Sequence, residues 1–275
     1  MIIYENEKKA AKKLIDKLLK HKEKLSYINI GSNNEYLGWV VDFNLKDPNN
    51  RSISLDLKKE SDMFLLFILA ISWSRTGIWE NSAFFVSYLK IYEKDSVDFW
   101  LNEENCLKEE AERKKAADKI SSTLKYHTPP RKKISFRKDL FKSINILAHN
   151  WHRILKKLKA SERQHDFKIF MKYIRSIEGL GVGNRRILIK IPLILRELRC
   201  QKIFNNISGE LCCVADERVF QAGKSLKINL PKPTDLKSLI ESSTKIYRLF
   251  GDLYDLPLFA YNDLKNNELK NINFA

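Results

Sequence analysis

Ile174-Arg-Ser-Ile-Glu-Gly-Leu-Gly-Val-Gly-Asn-Arg-Arg-Ile-Leu-Ile-Lys190 is the stretch on which the reading of this chain turns. Gly179, Gly181 and Gly183 stand between two segments with helical apolar spacing. Glycines there let the chain make a tight turn and bring its backbone close to a partner. A turn that opens a helix presents unpaired N–H groups and the positive end of the helix dipole, which together make an anion site. A dinucleotide fingerprint also uses glycines, but it requires a preceding strand. Phe167, Phe170, Ile174 and Ile177 follow a helical period, so helix, glycine hairpin, helix is the better parse.

Downstream, Val214-Ala-Asp-Glu-Arg-Val219 places Asp216 where a helix would start. The pattern Leu180-Gly181-Val182-Gly183-Asn184-Arg185 followed by that aspartate resembles the helix-hairpin-helix DNA glycosylase superfamily. Leu69-Ala-Ile-Ser-Trp-Ser-Arg-Thr-Gly-Ile-Trp-Glu80, leading into Phe84 and Phe85, most resembles the archaeal GO branch, which removes 8-oxoguanine. The resemblance covers roughly residues 61–264 and is strongest over 174–224. It implies a mostly α-helical fold of two lobes with a cleft between them, preceded by a short extended or β segment. On this view residues 1–60 are an N-terminal extension and residues 61–275 the glycosylase-like domain, with the hairpin at 174–190.

The same resemblance implies roles. Gly179, Gly181, Gly183, Asn184, Arg185 and Arg186 would hold the DNA backbone, and Asp216 would be the catalytic carboxylate. Trp79 matches a tryptophan that stacks on the extruded base, and core packing is its rival explanation. Trp73, Tyr261 and Asp263 complete the expected base pocket. In the tail, Leu253-Tyr-Asp-Leu-Pro-Leu-Phe-Ala-Tyr-Asn-Asp-Leu264, the base-reading aspartate falls at Asn262 or Asp263, and the tryptophan expected a turn later is missing. A monovalent cation held by hairpin carbonyls is also implied; no other cofactor is expected.

Composition points the same way. Lys and Arg number 50 against 34 acidic residues, a formal +16, which favours a polyanionic partner such as duplex DNA carrying a damaged base. Arg131-Lys-Lys-Ile-Ser-Phe-Arg-Lys138 is the densest basic cluster, and Lys132 and Lys133 are its phosphate-contact candidates. A helix with Arg153, Lys156, Lys157 and Lys159 follows, interleaved with Phe136, Phe141 and Trp151, aromatics that at this spacing are more often core. Cys106, Cys200, Cys212 and Cys213 lack Cys-x-x-Cys spacing, so reduced core thiols are expected and an iron–sulfur cluster is not. His149 and His152 are three apart, yet no clustered ligand completes a metal site. The run Met63–Ile71 is short of the roughly 20 residues that a membrane span requires. No signal peptide is visible, and we expect a cytoplasmic, nucleoid-associated monomer.

Along the chain, residues 8–24 form an amphipathic helix with Ala11, Leu14, Ile15, Leu18 and Leu19 on one face. Segments 27–30, 37–41 and 53–57 alternate or are β-branched and predict short strands or extended segments. Ser61-Asp62 predicts a cap for a helix broken at Ser74-Arg-Thr-Gly77, with a second helix to about Tyr92. Thr234-Asp235 predicts the cap of the last long helix.

Breaking the bond between base and sugar builds positive charge on the sugar, so a fixed carboxylate such as Asp216 is needed nearby. A plain helix N-cap is the alternative role for Asp216, and the two are compatible. Strand-cleaving members place a lysine two positions after the last hairpin glycine, where this chain has Arg185, which forms no Schiff base. Lys190 lies about 140° around a helix from Arg185. Its apolar neighbours Ile187, Leu188, Ile189 and Ile191 leave open a snorkelling side chain or a desolvated nucleophile. Water as the nucleophile is the working expectation, with lyase activity open. A DNA-binding module without chemistry and a glycosylase acting on a nucleoside or RNA are the rival readings.

Overall fold

A computed structural model describes residues 2–25, 28–40, 45–47, 49–76, 79–123, 125–126, 134–181 and 188–265. It is mostly helical, with almost no strand. The chain divides into two compact units, residues 1–37 with 208–275 and residues 38–207. The first sixty residues are thereby shared between them.

The first unit contains α1 (Glu5–His21), α9 (Glu217–Ser225), α10 (Leu236–Phe250) and α11 (Leu256–Phe259). Ala11, Leu14 and Leu18 bury the apolar stripe of α1, which packs on α10 and α11. Glu7 on that stripe is 1% exposed and accepts from Lys245 Nζ at 2.7 Å and from the N–H groups of Asn229 and Tyr4 at 2.9 and 3.0 Å. Asp235 caps α10, its carboxylate accepting from Ser238 N–H at 2.8 Å, as its position predicts.

The second unit is built around α2 (Glu60–Thr76), which pairs with α3 (Trp79–Ile91). Phe64 to Ile71 are fully buried on every side of α2, which is why this helix shows no polar face and ends at the centre of the unit. Around it lie α4 (Val97–Leu101), α5 (Glu103–Thr123), α6 (Asp139–Arg163), α7 (Lys168–Ser176) and α8 (Ile191–Cys200). Trp151 of α6 meets Phe64 and Phe67 edge-on at 5.0 and 5.1 Å, and Phe136 and Phe141 are likewise buried.

One expectation is corrected. Ser61-Asp62 does not cap α2, which starts one residue earlier; Asp62 is 2% exposed and accepts instead from Asp56 N–H at 2.7 Å and Lys90 Nζ at 2.6 Å. The described residues of the segments expected as short strands or extended chain lie in no strand, and among them Ile30 makes an isolated bridge with Tyr36; Lys46 bridges Ser52 outside those segments. Among the described residues one ladder pairs β1 (Leu45–Lys46) with β2 (Lys125–Tyr126), antiparallel. Alternating side chains bury one face of an extended segment without giving it a strand partner. Cys106, Cys212 and Cys213 are buried and Cys200 is half-buried, none of them in a disulfide. Among the described residues, no helix is long and apolar enough to cross a membrane.

Candidate functional site

The glycine turn begins where α7 ends at Ser176. Gly179 has φ +82°, a left-handed conformation, and a Cβ there would run into Ile146 Cδ1 of α6, so two independent reasons demand glycine. The carbonyls of Gly179, Leu180 and Gly181 all face one side chain, Arg75 of the last turn of α2. Its Nη1 donates to Leu180 O at 3.2 Å and to Ile71 O at 3.2 Å, and its Nη2 to Gly179 O at 3.3 Å and Gly181 O at 3.4 Å. Nη2 also donates to Ser143 Oγ, and Asp139 Oδ2 lies 3.5 Å from Nε. Arg75 is 9% exposed. A planar guanidinium carries five donors in a fixed fork and here serves four carbonyls, three of them of the glycine turn, and a hydroxyl, more partners than the three donors of a lysine could satisfy. These three carbonyls already meet a positive charge, so they do not fit a second, monovalent cation at the same point. Gly183, Asn184, Arg185 and Arg186 lie outside the described residues, as do Lys132 and Lys133.

Leu188–Lys190 form a 3₁₀ turn, and Lys190 is the N-cap residue of α8. Lys190 therefore stands at a helix start and not in the middle of one. It is 6% exposed, and its Nζ sits 3.6 Å above the ring of Trp73, so it does not snorkel to water. Trp73 and Trp79 are 3% and 6% exposed, with ring centres 5.3 Å apart. Trp39 completes a cluster of three, 5.1 Å from Trp73 and 4.3 Å from Trp79. Arg196 packs over Trp39 at 4.9 Å, and Glu197 Oε2 accepts the Trp39 N–H at 2.8 Å. Gly38, at φ +101°, supplies the bend that aims that N–H, and a Cβ on it would sit 2.9 Å from the same oxygen. Arg196 and Glu197 are both fully buried and 3.6 Å apart.

Asp216 is prepared differently. Cys212 to Ala215 form a buried segment, pinned by Ser243 Oγ accepting from Cys213 N–H at 2.9 Å and Asp255 Oδ1 accepting from Val214 N–H at 2.7 Å. Asp216 follows, half-buried, as the N-cap of α9, with Oδ1 accepting from Val219 N–H at 3.2 Å. Two residues on, Arg218 Nη2 donates to Asp263 Oδ2 at 2.6 Å and its guanidinium packs 4.1 Å from the Phe259 ring. The Asp-Glu-Arg segment and the tail thus share one local structure, with Tyr261 half-buried at the start of helical residues 261–265.

Lys190, Trp73 and Trp79 belong to the second unit, and Asp216, Tyr261 and Asp263 to the first. Trp39, Arg75, Glu197 and Asp255 were not singled out in sequence. A lone Trp after Gly38 and an arginine just before a helix break were the only local signals. No family model matches the chain, and no curated protein or solved structure is significantly similar to it.

Proposed function

We propose that this protein is a DNA N-glycosylase of base excision repair, with an 8-oxoguanine-type purine as the favoured target and Asp216 as its carboxylate. The observation that carries the reading is the fixed, half-buried Asp216, set at the start of α9 by a buried segment and held by its cap bond. A carboxylate in that setting stabilises developing positive charge without reorganising. The reading includes a cleft that receives the extruded base; extrusion costs a few kcal/mol and is cheapest for a damaged nucleotide.

In the reaction, the bond from the sugar C1′ to the base nitrogen breaks and its electron pair leaves with the base, which takes up a proton. Water attacks C1′ and gives its proton to Asp216. The stacking of Lys190 on Trp73 supports water over an amine as the nucleophile, since an attacking lysine must first leave the ring. A DNA-binding module without chemistry is the second reading, and the same stacking, with Arg185 in the usual lysine position, favours it.

The test incubates the protein with duplexes that each carry one modified base, 8-oxoguanine included. Base release and strand cleavage are scored separately, with and without borohydride. Release without a trapped adduct is expected, falling about 10²–10³-fold in Asp216→Asn. Release that survives Asp216→Asn would remove the carboxylate from the chemistry, and no release from any duplex would favour the binding module.

A further inference from the structure

Between residues 142 and 175, α6 and α7 carry nine Lys and Arg against two acidic residues: Lys142, Arg153, Lys156, Lys157, Lys159, Arg163, Lys168, Lys172 and Arg175, with Glu162 and Asp166. The two flanks of α6 use these cations differently. On one flank Lys157 packs over the Tyr173 ring of α7 at 5.8 Å. On the other, His149, His152, Lys156, Lys159 and Arg163 succeed one another at intervals of three and four residues. That spacing makes a straight stripe of about 21 Å on an α-helix. All five are exposed, and among the described residues none has an ion-pair partner.

The stripe is one wall of a groove of about 1050 Å³, at the upper end of the roughly 300–1,000 Å³ of a small-molecule site. Apolar surface from Val97, Leu101, Leu155 and Phe204 lies beside it. The groove's carboxylates are Glu60, Asp98 and Glu162. Two of them are engaged, Glu60 by Trp151 Nε1 at 2.8 Å and Glu162 by the N–H groups of Asn205 and Asn206 at 3.0 and 3.2 Å. Cations in a row on one helix, apolar surface, and a carboxylate from another helix match one class of polymer. Its phosphates need the cations, its base faces need apolar or aromatic surface, and exocyclic amines of its bases need an acceptor.

We propose that this groove binds a single strand of nucleic acid, with phosphates along Lys156, Lys159 and Arg163 and bases against Leu155 and Phe204. The site is distinct from the residues assigned to base release, and it stands or falls separately. Fluorescence anisotropy with a labelled mixed-sequence single strand, and with its duplex, measures it on the full chain. Lys156→Glu/Lys159→Glu/Arg163→Glu changes only exposed side chains. It is expected to weaken single-strand binding by at least about tenfold and to lower the salt slope by about 2, near 0.7 for each lost phosphate contact. Lys9→Glu/Lys12→Glu/Lys13→Glu, on the exposed face of α1, makes the same charge change and is expected to cost less than about threefold.

Equal losses in the two triple variants would reduce the effect to net charge and overturn the site, as would an unchanged affinity in the α6 variant. Preference for the duplex, or displacement of the strand by polyglutamate at equal charge concentration, would also overturn it. Base release under single turnover at saturating protein, scored in the same variants, keeps this outcome separate from that of the glycosylase assay.

Discussion

Two aromatic clusters in the second unit are equally buried and differently built. Trp151 packs against Phe64 and Phe67 with apolar neighbours, and its only polar atom reaches Glu60, an exposed carboxylate at the start of α2. Trp39, Trp73 and Trp79 are instead ringed by Lys190, Arg196 and Glu197, which are 6%, 0% and 0% exposed. An apolar cluster suffices to hold helices together. Burying three charges costs several kcal/mol per ion before their mutual attraction offsets it, so stability alone does not account for the second cluster. Places where a fold departs from the cheaper solution are where function is to be sought.

The sharpest way to break that contrast is to remove one carboxylate from each cluster. Glu197→Ala strips Arg196 of a buried counter-charge and the Trp39 N–H of its acceptor, and is expected to cost about 3–5 kcal/mol. Glu60→Ala removes one half-exposed hydrogen bond and should cost about 1 kcal/mol. Urea unfolding followed by tryptophan fluorescence compares them directly. Similar midpoint shifts would mean that the charged cluster is held no more tightly than the apolar one.

What the sequence disclosed about these regions follows from how far away each partner lies. The end of α2 was legible to within a few residues because a glycine follows it in sequence, although Ser74 to Thr76 remain helical, and α9 was legible because an aspartate three residues before Val219 can cap it. Asp62 misled because a cap residue and a buried ion-pair partner look alike until Lys90 is known to sit beside it. Arg75 bonds Leu180 across 105 residues and Trp39 bonds Glu197 across 158, and no periodicity in a short window carries such pairs. The glycines were read as a phosphate turn. That Gly179 also turns its carbonyl to a guanidinium was invisible, because the guanidinium belongs to another helix.

A second contrast, between two left-handed glycines, probes that turn. Gly251 ends α10 at φ +58° and ψ −140° with nothing near its would-be Cβ, so Gly251→Ala should cost the backbone strain alone, about 1–3 kcal/mol. Gly179→Ala, at φ +82°, meets a backbone penalty of its own and in addition forces Ile146 aside, an overpacking cost of about 1–3 kcal/mol on top of it. Because Ile146 lies on α6, the displacement also disturbs the Gly179 carbonyl that Arg75 and Ser143 share. Equal shifts in unfolding midpoint for the two variants would show that Ile146 yields without resistance.

The smallest effect is a pH dependence, and it probes the buried Glu7–Lys245 pair of the first unit. Burial alone would push the Glu7 carboxyl up, but the bonds from Lys245, Tyr4 and Asn229 outweigh it and hold the group below the usual carboxylate range. A depressed carboxyl binds its proton more weakly folded than unfolded. Its contribution is therefore complete above the unfolded value of about 4.3 and is lost as pH falls through the lower folded value. Glu7→Gln keeps the shape and one acceptor oxygen but has no charge to lose. The difference in stability between the native protein and Glu7→Gln should be constant near neutral pH and shrink below about pH 4. Subtracting the variant removes the other carboxylates, whose titration the two proteins share. A difference that stays flat into acid would mean that Lys245 is held by shape and hydrogen bonding alone, and that the charge on Glu7 contributes nothing to joining α1 to α10.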